Sequence, residues 1–179
     1  MRFVCYALIA GLVALPGARA EEKKKPATDV ASYKPIAASV AKAKELILFE
    51  GFPHPVMEPA LFKKEKEERN QFRYQGHVFY QNRPRLKDKD ADALRKALAD
   101  SKGFTAWRGE KKCGGFHPDY MVQWKEGDAI YRVLICFGCG EITAYGPKGA
   151  VRLDMGEAGK ALQATLKRYR ALRPKPKEG

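Results

Sequence analysis

Two neighbouring stretches of the chain place apolar residues at every second position, and that alternation sets the expected fold. In "DYMVQW", Tyr120, Val122 and Trp124 point one way while Asp119, Met121 and Gln123 point the other. In "AIYRVLI", Tyr131, Val133 and Ile135 oppose Ile130, Arg132 and Leu134. "KEGD" joins the two runs, and Gly127 suits the positive φ of a tight hairpin turn. With Glu126 and Gly127 as the loop, Val122 faces Tyr131 and Tyr120 faces Val133, so six apolar side chains share one face. A slip of one residue would scatter them over both faces and is disfavoured. The same register sets His117 opposite Cys136 and brings Cys113 near Gly140, hence near Cys139.

Further strands are expected at "ELILFEGF", at "FRYQGHVFYQ" with Gly76 as a bulge, at "FTAWR", and at "EITAY" and "AVRLDM" around the turn "GPKG". Helices are expected over 36–44, over 59–70 with Pro59 in the first turn, over 87–100, and over 157–172. In the third of these, Asp88 or Asp90 is the expected cap, and Ala91, Leu94, Ala97 and Leu98 form one stripe. Ala158, Leu162, Leu166 and Tyr169 form the core-facing side of the last. Adjacent strands on short turns, mixed with helices, predict an α+β fold: a single antiparallel sheet built around a central β-hairpin and packed by two or three helices.

The first twenty residues, MRFVCYALIAGLVALPGARA, have a short positive start, an apolar run and an A-x-A site at Ala18 and Ala20. That is the pattern of a signal peptide, and it predicts export to the periplasm, cell envelope or extracellular space. The apolar run is shorter than the roughly 20 residues of a membrane-spanning helix, and no transmembrane segment is expected after cleavage. Cys5 would leave with the peptide. The expected organisation is a signal peptide over 1–20, a flexible leader over 21–35, one α+β domain over 36–173 and a flexible tail over 174–179.

Loss of Arg2 and Arg19 would lower the net charge from +13 to +11. The cations are dispersed and often sit beside acids, as in "KKEKEER", which reads as a solvated helix face. No specific nucleic-acid partner is expected; weak attraction to anionic polymers or a membrane surface fits the charge better. Nucleophile elbows, zinc-protease helices, phosphate loops and dinucleotide fingerprints are all missing from the sequence, so an enzyme reading has little to stand on.

The chemistry concentrates in Cys113, His117, Cys136 and Cys139, spaced as C-x3-H, eighteen residues, then C-x2-C. Cys3His is an accepted tetrahedral zinc set, and the flanking glycines permit two tight knuckles. On this reading all four residues are metal ligands and the site is structural, with no open position. Asp119 could orient His117 from the second shell of ligands, and His54, between prolines, is an alternative ligand. The competing reading is a disulfide from Cys113 to Cys139 or Cys136 with one thiol left over, as an oxidising compartment favours. The third is a thiol-redox or metal-dependent enzyme using the same cysteines, weakened because "EITAY" after the C-x2-C looks like a strand and not a helix.

"KCGGFHPDYMVQWKEGDAIYRVLICFGCGE", with "ELILFEGFPHP" and "GHVFY" upstream, resembles an uncharacterised family of exported bacterial proteins with a CGGFHPDY…LICFGC region. The resemblance implies one compact domain with a shared cysteine–histidine region and no particular activity. Relatives of that kind often read C-x-x-C-H at the second knuckle, where this chain has Gly140.

Overall fold

The computed structural model describes residues 25–111 and 114–174. Cys113, the expected signal peptide and positions 175–179 lie outside the described residues. The strands are β1 (Ile47–Glu50), β2 (Gln71–Tyr74), β3 (His77–Tyr80), β4 (Thr105–Ala106), β5 (Tyr120–Glu126), β6 (Ala129–Cys136), β7 (Glu141–Gly146) and β8 (Gly149–Asp154). The helices are α1 (Val30–Ala41), α2 (Pro59–Glu68), α3 (Asp88–Ala99) and α4 (Ala158–Leu166). Six strands form one antiparallel sheet in the order β1-β5-β6-β7-β8-β4, and β2 and β3 form a separate ribbon. This is the expected α+β class, with a second, smaller sheet added. No helix among the described residues is long and apolar enough to cross a membrane.

Each face of the main sheet is covered by a different layer, because the strands alternate two sets of apolar residues. Tyr120, Val122, Trp124, Val133, Ile135, Ile142 and Leu153 meet α1, α3 and α4 through Tyr33, Val40, Leu94, Leu98, Leu162 and Leu166. On the other face Met121 and Leu134 meet Phe79 and Phe72 of the ribbon. Buried polar tips find partners: Trp124 Nε1 donates to Ser39 Oγ at 2.9 Å, and Tyr33 OH donates to the Leu98 carbonyl at 2.7 Å.

The hairpin register differs from the sequence expectation by two residues. Trp124 pairs with Tyr131, Val122 with Val133 and Tyr120 with Ile135, so the loop is Gly127–Asp128. Gly127 stands first in that loop with φ +58°, the position at which a two-residue hairpin most needs a glycine. An even shift leaves every side chain on its expected face but changes its partner. His117 therefore does not lie opposite Cys136; Asp119 is the residue that reaches this end of β6.

Five local expectations are also corrected. α1 begins at Val30, because Asp29 caps it through the Ser32 N–H at 2.8 Å. Ala27 bonds both Ala150 and Arg152 at the edge of β8, so residues 27–35 belong to the folded body and not to a leader. "FRYQGHVFYQ" is a hairpin and not one bulged strand, turning at Gln75 and Gly76, both with positive φ. Neither Asp88 nor Asp90 caps α3; buried Asp90 instead accepts from Tyr169 OH at 2.7 Å and Arg168 at 3.0 Å. α4 ends at Leu166, and the chain then gives the N–H groups of Ala171, Leu172 and Arg173 to buried Glu50, at 2.8–3.1 Å. That carboxylate takes donors that a longer helix would have kept for itself.

Ile135 is fully buried between the layers, whereas Ile130, on the same strand, is 40% exposed. Ile135→Ala is expected to lower the unfolding free energy by about 2–5 kcal/mol, and Ile130→Ala by less than about 0.5 kcal/mol, in urea denaturation followed by tryptophan fluorescence.

Candidate functional site

The turn of residues 137–140 joins β6 to β7; Cys136 is the last residue of β6 and Cys139 lies in the turn. Asp119 ties it to the start of β5. Its N–H donates to the Ile135 carbonyl at 2.7 Å, its Oδ2 accepts the Phe137 N–H at 2.8 Å, and its Oδ1 accepts Arg173 Nη1 at 3.0 Å. Asp119 thus caps the cysteine turn, a different task from orienting His117.

The two described cysteines are in different states. Cys136 is a free thiol, 3% exposed, and its Sγ accepts the Cys139 N–H at 3.3 Å and the His117 N–H. Burial pushes its pKa up despite those two donors, which weakens it as a nucleophile and as a thiolate ligand. Cys139 is disulfide-bonded, and its Sγ lies 3.4 Å from the Gly115 carbonyl oxygen. No three His, Cys, Asp or Glu side chains among the described residues converge well enough to hold a metal ion, so His117, Cys136 and Cys139 do not form such a trio.

The histidine rings lie beside one another. The His54 and His117 rings pack with centroids 4.6 Å apart, and His77 lies close enough for its charge to act on His117. Burial first, then His54 and Arg173, lowers the His117 pKa from the usual 6.5 to about 4, so it is neutral near pH 7. His54 Nδ1 accepts N–H groups from both Val56 and Met57 at 3.1 Å. The neutral ring therefore carries its proton on Nε2, and that buried N–H has no lone pair to give a metal and no hydrogen-bond partner among the described residues. A Cβ on Gly114 would come within 3.1 Å of the His54 ring, and Gly114 has φ +78°, so glycine is required there on both counts.

Glu58 and Arg173 complete this cluster, and the sequence reading missed both. Glu58 Oε2 accepts the His54 N–H at 3.0 Å and Arg173 Nη2 at 2.6 Å. Arg173 so bridges Glu58 and Asp119, and its side chain is only 12% exposed. No local pattern marks these residues, since one precedes a charged helix and the other lies in a basic tail.

A second polar centre holds the segment that leads into the site. Glu141, directly after "CFGCG", is fully buried. Its Oε2 accepts Arg152 Nε at 3.0 Å and Nη2 at 2.7 Å, and its Oε1 accepts Trp107 Nε1 at 3.0 Å. Lys111 reaches Asp154 at 2.8 Å and Glu141 at 3.5 Å. The Arg152 guanidinium lies over the Trp107 ring at 4.4 Å and the Phe116 ring at 5.4 Å. Trp107, Lys111 and Phe116 are thereby fastened to the sheet through one carboxylate and its arginine.

No protein-family model matches the chain, and no curated protein or solved structure is similar to it.

Glu141→Ala would leave Arg152 without its buried counter-charge, and a loss of about 3–5 kcal/mol is expected in urea unfolding. His117 supplies a pH signature. Its folded pKa lies below its unfolded value, so the unfolded chain binds more protons between pH 4 and 6.5, and stability falls as pH drops through that window. His117→Gln is expected to flatten the dependence of the urea midpoint on pH between pH 4.5 and 7, by an amount on the order of 2 kcal/mol.

Proposed function

We propose that the chain is an exported binding domain closed by a Cys113–Cys139 disulfide, with Cys136 as a buried spare thiol. The observation that carries this reading is the pairing of a disulfide-bonded Cys139 with a free Cys136 three residues away. With Cys136 free and Cys5 in the expected signal peptide, cysteine arithmetic leaves Cys113 as the partner. An oxidising compartment, as the N-terminal pattern predicts, is where such a bond persists.

The zinc reading needs deprotonated sulfurs and a His117 nitrogen at one point. Against it stand the raised pKa of Cys136, the packing of the His117 ring on His54, and the absence of a three-ligand cluster among the described residues. Redox catalysis by the C-x2-C pair is disfavoured because the pair closes a β-turn, without a helix N-terminus to stabilise a thiolate. The net charge of +13, which becomes +11 once Arg2 and Arg19 leave with the signal peptide, favours association with anionic polymers or an anionic envelope surface as the binding role.

Intact mass under denaturing, non-reducing conditions is expected to fall about 2 Da below that of the reduced chain. Thiol titration of the processed protein should find one free thiol, and metal analysis should find no stoichiometric zinc. One equivalent of zinc with three titratable thiols after chelation would overturn the reading in favour of the Cys3His site. Removing the bond by Cys139→Ala is expected to cost roughly 3 kcal/mol of stability.

A further inference from the structure

A cavity of about 200 Å³ lies between the start of β5, the turn after β6 and the end of α4. Tyr120 and Phe137 supply its aromatic wall, with ring centroids 6.2 Å apart and the rings edge to face. Gln163, Lys167 and Arg170 supply an exposed rim; spaced four and three residues apart, they follow one side of α4 and the turn beyond it. Glu50, Asp119 and Arg173 complete the lining.

The acceptors of this cavity are engaged and its donors are not. Glu50 takes the N–H groups of Ala171, Leu172 and Arg173, and Asp119 takes Phe137 N–H and Arg173 Nη1. Tyr120 is only 4% exposed, yet its hydroxyl has no hydrogen-bond partner among the described residues. The charges that act on this hydroxyl are those of Glu50, Asp119, Arg170 and Arg173, all of them cavity residues, so it points in among them. Burial first, then the two carboxylates, raises its pKa, and it keeps a proton to donate. Arg170 reaches only the Pro174 carbonyl, at 3.3 Å, and Lys167 joins no ion pair among the described residues. Buried hydroxyls are normally paired, and here the chain itself supplies no acceptor.

We infer that this cavity binds one carboxylated sugar ring, with the Tyr120 hydroxyl, Lys167 and Arg170 on the carboxylate and the aromatic wall against a C–H face of the ring. Three cations against two engaged carboxylates leave the cavity net positive, which a neutral sugar would not use. A bare inorganic anion would leave the wall of Tyr120 and Phe137 uncovered. The volume admits about one ring, less than a drug-sized ligand needs. Buried Tyr120 fixes the orientation of the acid, and the exposed cations of the rim close over it. The inference deepens the reading of association with anionic polymers given above and rests on it.

Calorimetric titration of the full processed chain at pH 7 and low salt tests this, with galacturonate, trigalacturonate, galactose and inorganic phosphate as probes. One equivalent of galacturonate is expected to bind, and galactose at least about 10-fold more weakly. Tyr120→Phe deletes a hydroxyl that no described group uses, so the urea midpoint should hold while affinity for galacturonate falls about 10-fold. Arg170→Gln should weaken binding by a similar factor, whereas Lys89→Gln, the same charge change on exposed α3, should alter it less than about 2-fold. Tighter binding of trigalacturonate, with the same loss in Tyr120→Phe, assigns the ring to a polymer, and equal binding assigns it to the free acid; either result supports the site. Trigalacturonate that binds the wild type, Tyr120→Phe and Arg170→Gln equally overturns the cavity and leaves the anionic-polymer reading standing. Phosphate that binds as tightly as galacturonate overturns the choice of a sugar ring. If neither galacturonate nor trigalacturonate binds, the anionic-polymer reading fails first, and this inference with it.

Discussion

β5 and β6 are buried on both faces, and a strand pair in that position has very little freedom of register. Helices cover the face that holds Val122, Trp124, Val133 and Ile135; the β2–β3 ribbon covers the face that holds Met121 and Leu134. A slip of one residue would exchange the two sets and drive Gln123 and Arg132 into the helical core. A slip of two keeps the faces, and the turn decides between such registers. Gly127 accepts the positive φ that opens a two-residue loop, which fixes Tyr120 against Ile135. From that pairing it follows that Asp119 meets the 137–140 turn, that Cys136 is buried, and that Glu141 enters the covered face of the sheet.

Around this sheet, buried acids attach the segments that are not strands. Glu50, Glu65, Asp90 and Glu141 are each at most 4% exposed, and each has donors within hydrogen-bond distance. Glu50 holds the chain after α4, Asp90 joins α3 to Tyr169, Glu65 holds α2 to Tyr80, and Glu141 holds Trp107, Lys111 and Arg152. Burying a charge costs several kcal/mol, which its partners roughly recover. Such contacts add little net stability, but a misdocked segment would leave a buried charge without donors. They select one arrangement of loops on a sheet that apolar packing has already formed.

This division of labour also separates the chemistry that looks unified in the sequence. Cys136 and Cys139 lie at the β6–β7 turn, where burial keeps the Cys136 thiol protonated against the pull of its two backbone donors. The imidazoles lie among Glu58 and Arg173, where burial keeps them neutral. Asp119 touches both groups, bonding the turn through Phe137 and the other cluster through Arg173. The two centres are thus mechanically joined while their reactive atoms serve different neighbours.

The sequence by itself determined the α+β class, the apolar face of the hairpin and the core stripe of Leu94 and Leu98, because alternation and helical spacing are local patterns that burial must respect. It also singled out the stretch in which the cysteines and His117 fall. Tertiary structure alone decided the pairing partners across the hairpin, since registers two residues apart bury the same side chains. It alone brought Glu58 and Arg173 to His54, and Trp107 to Glu141, because a charged side chain carries no mark in sequence of the donor it will meet from more than thirty residues away. The neighbours of the His117 ring were out of reach of the sequence for the same reason: the ring packs on His54, in a loop from an earlier part of the chain.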